Sequence, residues 1–156
     1  MRIMMLCQPN GPNRLGETLL QLLSEEPTWN SLRAAIAFVK YSGVRHLAGG
    51  LRGLARGQTN IRLVVGVDHR GSSREGIEAL LDSVSPRGEV WVFHNENPST
   101  FHPKVFLFQR PGRAALIVGS GNLSEGGLFT NYELGILVEL DTNLPEDALI
   151  AQQMQE

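Results

Sequence analysis

The stretch FHPKVFLF, residues 101–108, sets a histidine and a lysine two positions apart at the head of an apolar run. Successive residues of a strand point to opposite faces, so His102 and Lys104 share a side and Pro103 takes the other. An imidazole can move a proton or act as a nucleophile near neutral pH. An ammonium is a compact charge suited to a phosphoryl oxygen. Proline lacks a backbone donor and belongs at a strand start or edge. The pair is therefore expected at the mouth of a strand that residues 105–108 anchor in the core.

A second group follows in LIVGSGNLSEGGL, residues 116–128. An apolar strand runs into Gly119, Ser120, Gly121 and Asn122, and a glycine-rich turn comes next. Ser120 and Asn122 share a face, and Gly119 and Gly121 let backbone approach a ligand closely. A hydroxyl, an amide and exposed backbone N–H groups suit a phosphate. Then TNYELGILVEL places Glu133 near the start of a further strand. A carboxylate there can accept the Nδ1–H of a histidine, fix its tautomer and sharpen the other nitrogen as a nucleophile.

His-x-Lys, then Gly-Ser-x-Asn, then a glutamate eleven residues after the asparagine: in this order the chain resembles the phospholipase D superfamily. The nearest likeness is to its small nuclease branch and its metal-independent restriction endonucleases, and similar domains precede some helicases. The specific match runs from HPKVFLF to YELGIL. VVGVDHRGSSREGIEALL upstream is similar in a less specific way. The resemblance implies a phospholipase D-like fold and a two-step mechanism. His102 would attack phosphorus and form a phosphohistidine, while a second histidine protonates the leaving oxygen and then activates water. Lys104, Ser120 and Asn122 would hold the phosphate oxygens, and Glu133 would orient His102. The family places two His-x-Lys motifs in each active site. Here His46, His69 and His94 have no lysine two residues on. The expectation is a homodimer, one His102 from each chain meeting across a two-fold axis. One position departs from the family pattern: Gln109 stands where an aspartate is usual, five residues after the lysine.

Other residues carry weaker signals. The chain has 12 arginines but only two lysines, Lys40 and Lys104, so a lysine is kept where a phosphoryl oxygen would sit. Arg45, Arg52 and Arg56 fall on one helical stripe beside Val44, Leu47, Leu51 and Leu54. Such a stripe can track a nucleic-acid backbone, although a solvated helix face is the more ordinary use. Asp68 and His69 end a strand before a Gly/Ser loop, where α/β sheets place ligand contacts. A helix-capping loop is the competing use, and His69 is a candidate nucleic-acid contact. Trp91 alternates with Val90 and Val92 and is expected in the core. No Asp or Glu has a lysine two residues on, and no His/Cys set has zinc spacing. No metal and no cofactor are expected in the chemistry.

The elements that must position these groups follow from periodicity. Strands are expected over 2–8, 32–40, 60–68, 88–95, 102–109, 113–120 and 132–140. Helices are expected over 14–26, 42–57, 74–84 (capped by Ser73) and from 144 onward. The branched run at 60–68 suits a strand buried on both faces. Strand and helix alternate early and strands cluster late, which gives an α/β fold: a mixed β-sheet flanked by helices on both faces.

The 156 residues suit a single domain spanning 1–156, and the final helix stops without a cap, as in a fragment of a longer protein. The net charge of −2 announces no nucleic-acid binder, so polyanions must meet a local patch. Cys7 is the only cysteine, which excludes an internal disulfide and fits a reducing compartment. The first apolar run is too short for a signal sequence, and no stretch reaches the ~20 residues of a membrane span. A soluble cytoplasmic protein acting on nucleic acid, DNA foremost, is expected. Two alternatives stand beside it. One is a catalytically idle dimerisation or docking module of a helicase or restriction protein, which Gln109 motivates. The other is a phospholipid hydrolase or transferase, against which the missing second motif speaks.

Overall fold

The computed structural model describes residues 1–94, 96 and 99–154. Its strands are β1 (Arg2–Gln8), β2 (Ser31–Ile36), β3 (Asn60–Gly66), β4 (Glu89–Phe93), β5 (Lys104–Arg110), β6 (Arg113–Gly119) and β7 (Glu133–Leu140). Its helices are α1 (Leu15–Leu23), α2 (Tyr41–Arg56), α3 (Arg74–Val84) and α4 (Pro145–Gln153). The sheet order is β1-β7-β6-β5-β2-β3-β4. β2, β3 and β4 run parallel, joined by α2 and α3 as crossovers, and every other pairing is antiparallel. This polarity gathers the starts of β5 and β7 and the ends of β1, β2, β3, β4 and β6 along one edge.

The two sheet faces are covered unequally. α1, α2 and α3 all pack on one face, burying Leu19, Leu47, Leu51, Leu54 and Leu80 against Leu32, Ile61, Phe106 and Ile117. Each such side chain contributes about 1.5–3 kcal/mol through burial. On the other face α4 alone brings Ile150 and Ala151 against Leu107, Leu116, Val138 and Leu140. The half of that face nearest the converging edge stays open, with Met5, Trp91, Phe93, Val118 and Leu134 exposed.

That asymmetry corrects two expectations. β3 is not buried on both faces: Ile61, Leu63 and Val65 are buried, but Asn60 and Arg62 are exposed. Trp91 is not in the core and is 58% exposed, because α4 does not reach β4. The strand expected over 32–40 ends at Ile36, and Val39 instead forms an isolated bridge to Leu123. The cap on α3 is as expected, Gly76 N–H donating to Ser73 Oγ at 3.2 Å.

Candidate active site

His102 precedes the first residue of β5 and is exposed, while Lys104 opens the strand and is only 5% exposed. The two side chains converge. Lys104 Nζ lies 2.8 Å from His102 Nδ1, 3.0 Å from Nε2 and 3.1 Å from the His102 carbonyl oxygen. Phe38 meets the imidazole edge-on at 5.6 Å, and Pro103 O accepts from Ala37 N–H at 2.7 Å, tying this segment to the end of β2. Burial pushes the Lys104 ammonium below its ordinary value, and the Glu133 carboxylate pulls it back up. Among the described residues Lys104 forms no salt bridge.

Ser120 follows β6 and Glu133 opens β7, so the antiparallel register brings them together. Ser120 Oγ donates to Glu133 Oε2 and accepts from Leu134 N–H at 3.1 Å. Asn131 Nδ2 donates to Glu133 Oε1 at 3.3 Å. Glu133 is thus held by Ser120 and Asn131, while both His102 ring nitrogens face Lys104. Gly119 and Gly135 sit opposite each other on β6 and β7. With no side chains, they leave a recess lined by Lys104, Ser120, Gly121 and Glu133.

Asn122 lies in the loop beyond Ser120, and its Oδ1 is buried with no partner among the described residues. Turning the amide over would present a donor instead, so this position can meet either kind of ligand group. Gly127 lets the loop close: a Cβ there would strike the Asn122 backbone. The loop is strapped at two further points, with Lys40 N–H donating to Leu123 O at 2.9 Å and Leu123 N–H to Phe38 O at 3.0 Å.

Two supports, Gln8 and Glu125, escaped the sequence analysis, and Asp68 takes a bracing place and not the ligand contact or cap considered for it. Gln8, buried at the end of β1, donates to Gly127 O at 3.0 Å and accepts from Leu15 N–H at 3.2 Å. It latches the Asn122 loop to β1 and α1. Its signal was there: a polar residue in phase with Met4 and Leu6. Glu125 binds His46 Nε2 at 2.5 Å and Arg45 at 3.1 Å, and these partners hold its carboxyl below the usual range. Asp68 Oδ2 accepts from Phe101 N–H at 2.8 Å, fixing the residue before His102.

The weaker candidates are spread out. His69 Nε2 bonds Thr100 Oγ1 at 2.9 Å, so it braces the segment leading to His102. Arg45 is engaged by Glu125 at the start of α2. Arg52 and Arg56 lie about 10 and 16 Å further along the helix, away from the recess. Gln109 sits five residues up β5 from Lys104, about 17 Å away, with Ser31 Oγ at 3.5 Å. The departure from the family pattern is therefore remote from the recess.

No family model matches the chain, and no curated protein matches it. Solved structures do. NucT from Helicobacter pylori superposes with a TM-score of 0.67 at 16% identity, covering 99% of this chain and 95% of that one. Nuc from Salmonella typhimurium, a phospholipase D family member, gives 0.66 at 18% identity over 97% of this chain and 91% of that one. Phosphatidylserine synthase from Haemophilus influenzae gives 0.66 at 16% identity, but this chain spans only 37% of its length. At such identities the likeness is one of architecture: the chain has the phospholipase D-like fold.

Proposed function

We propose that the chain is a phosphodiesterase that cleaves DNA without a metal ion, through a phosphohistidine on His102, at an active site completed by a second copy of itself. One observation carries this reading. Lys104 is a buried ammonium with no salt-bridge partner among the described residues, in contact with His102 and at the wall of a glycine-floored recess. Burial disfavours this charge even with the Glu133 carboxylate nearby, and a phosphoryl oxygen is its complement.

The steps follow from the groups present. A bound phosphate takes over the hydrogen bonds of Lys104 and frees the His102 ring. Its Nε2 lone pair attacks phosphorus, and the bond to the leaving oxygen breaks as the second copy's protonated His102 gives that oxygen a proton. The same histidine then takes a proton from water. The water oxygen attacks phosphorus, the P–N bond breaks and His102 is restored. Lys104, Ser120 and Asn122 stabilise charge on the phosphoryl oxygens. Glu133 exchanges Ser120 for the freed Nδ1–H.

The second copy is supported by the lone His-x-Lys motif and by the open aliphatic surface of Met5, Val118 and Leu134 beside the recess. The phosphate is the target, so base recognition in a restriction or helicase protein would belong to other domains.

The test is hydrolysis of bis(p-nitrophenyl) phosphate and plasmid DNA in excess EDTA, with the wild type beside His102→Ala. Activity that survives EDTA and vanishes in the variant supports the proposal. Inactivity of both proteins favours a docking module. Headgroup release from phospholipid vesicles faster than DNA cleavage favours a lipid hydrolase.

A further inference from the structure

The open half of the second sheet face differs from strand to strand. Toward β1, β6 and β7 it is aliphatic, with Met5, Val118 and Leu134. Toward β3 and β4 it is aromatic and basic. Trp91 and Phe93 project from β4 on the same side, about 6.7 Å apart along the strand, and are 58% and 40% exposed. Phe93 stacks on Phe101 at 4.5 Å with the rings 19° from parallel. Phe101 can lie there because the neighbouring β3 residue is Gly66, where a Cβ would come 2.9 Å from the Phe101 ring. Phe101 is joined directly to His102. The aromatic row therefore ends one residue before the candidate nucleophile, at the sheet edge where the two faces meet.

The row is held in place and flanked by positive charge. Glu89 Oε2 accepts from Trp91 Nε1 at 3.0 Å and from Arg62 Nε at 3.0 Å. The Arg62 guanidinium lies 6.0 Å from the indole centroid. Next to it the face opens into a cleft of about 370 Å³ lined by Arg33, Arg62, Val64, Val105 and Leu107. An exposed, oriented tryptophan in line with a second aromatic residue is a costly surface for a protein to leave to water. Every nucleobase has an apolar π-face, and rings beside arginines bind unpaired bases and their phosphates with little regard to sequence.

We propose that Trp91, Phe93 and Phe101 form a stacking track for the unpaired bases of a single-stranded nucleic acid, leading to His102, with Arg62 and Arg33 meeting the phosphates. A second copy of the chain fits this half of the face less well, because Arg33 and the Arg62–Glu89 ion pair would be taken out of water. The delivery of a strand for cleavage rests on the phosphodiesterase reading. The binding itself does not.

The experiment uses tryptophan emission. The chain has two tryptophans, and Trp29 is only 1% exposed, so Trp91 reports contact at the surface. An oligothymidylate is titrated into His102→Ala protein, and a duplex of equal length is titrated beside it. The single strand quenches emission at lower concentration than the duplex. By fluorescence anisotropy with a labelled oligothymidylate, Trp91→Ala binds about 5-fold or more weakly, and Trp91→Phe binds within about 2-fold of the parent. Equal binding by Trp91→Ala overturns the track. So does conversion of a wild-type dimer to a monomer by Trp91→Ala in sedimentation, which would give this half of the face to a second copy. Hydrolysis of bis(p-nitrophenyl) phosphate by the wild type reads the chemistry separately. Trp91-dependent binding without hydrolysis upholds the track and removes the nuclease, and hydrolysis without Trp91-dependent binding does the reverse.

Discussion

Lys104 Nζ stands within 3.0 Å of both ring nitrogens of His102, so a buried ammonium lies against the imidazole that the proposed chemistry needs. The pair is a resting arrangement that an incoming phosphate can open: the anion attracts the ammonium more strongly than the imidazole does.

Replacing Lys104 separates stability from activity. Lys104→Met keeps the volume of the side chain and removes a charge that burial disfavours. Its melting temperature is expected to rise by about 2–8 °C, corresponding to roughly 1–3 kcal/mol. Hydrolysis of bis(p-nitrophenyl) phosphate is expected to fall at least about 100-fold. Lys104→Arg does not restore it, since a planar fork cannot take the place of a compact ammonium at a strand start packed under Phe38. A stable and active Lys104→Met protein would remove Lys104 from the chemistry.

The same burial makes stability depend on pH. Lys104 titrates at its ordinary 10.5 when unfolded and lower when folded. Between those two values the unfolded chain binds more protons, so stability rises with pH across that window. Below the folded value the whole penalty is present, and it fades out only as pH passes 10.5. The melting-temperature gap between Lys104→Met and wild type is expected to shrink as pH climbs from 7 towards 10.5. Groups common to both proteins cancel in the difference. A gap that stays constant over that range would mean that the folded chain does not depress Lys104.

Much of this site was legible in the sequence because it depends on local order. His102 and Lys104 are two residues apart, and strand alternation alone predicts that they converge. Ser120 and Glu133 meet because β6 and β7 pair, a contact that no local pattern carried: the sequence puts Ser120 on the phosphate and Glu133 on His102. What escaped depends on which element covers which face. Trp91 alternates with valines as a core residue does, and only the short reach of α4 leaves it in solvent. β3 reads as doubly buried for the same reason, although Arg62 already marked its outward side. The role of Gln8 needs a partner 119 residues away, and no local pattern carries that.

Gln8 is expected to act as a positioning residue. Gln8→Ala strands the Leu15 N–H and the Gly127 carbonyl, both buried partners in the wild type. The cost is about 2–3 kcal/mol, or a melting temperature lower by about 4–10 °C. Well below that melting temperature, kcat for the small diester is expected to drop about 10- to 100-fold with little change in KM, because the loop holding Asn122 loses its latch. Loss of stability with unchanged kcat would make Gln8 a purely structural residue.

Gln109 departs from the family pattern but stands far along β5 from the recess. Gln109→Asp is expected to leave kcat/KM for bis(p-nitrophenyl) phosphate within about 2-fold of wild type, since this position stands about 17 Å along β5 from Lys104. A large gain on restoring aspartate would tie that end of the strand to the chemistry and revive the idle-module alternative for the wild type.

Subunit mixing tests whether one active site needs two chains. Wild type and His102→Ala are unfolded, combined in equal amounts and refolded so that subunits exchange at random. If each chain works alone, activity is half that of the same total amount of wild type. If both histidines of a dimer are needed, only the dimers formed from two wild-type chains are active, about a quarter of the total. The proposal expects the quarter. A companion variant, Leu134→Glu, places a charge on the aliphatic patch, where Leu134 is 57% exposed. It is expected to sediment as a monomer, to melt no more than a few degrees below wild type and to lose activity at low protein concentration. Half activity in the mixture, together with a fully active monomeric Leu134→Glu protein, would leave His102 of a single chain to carry both proton transfers.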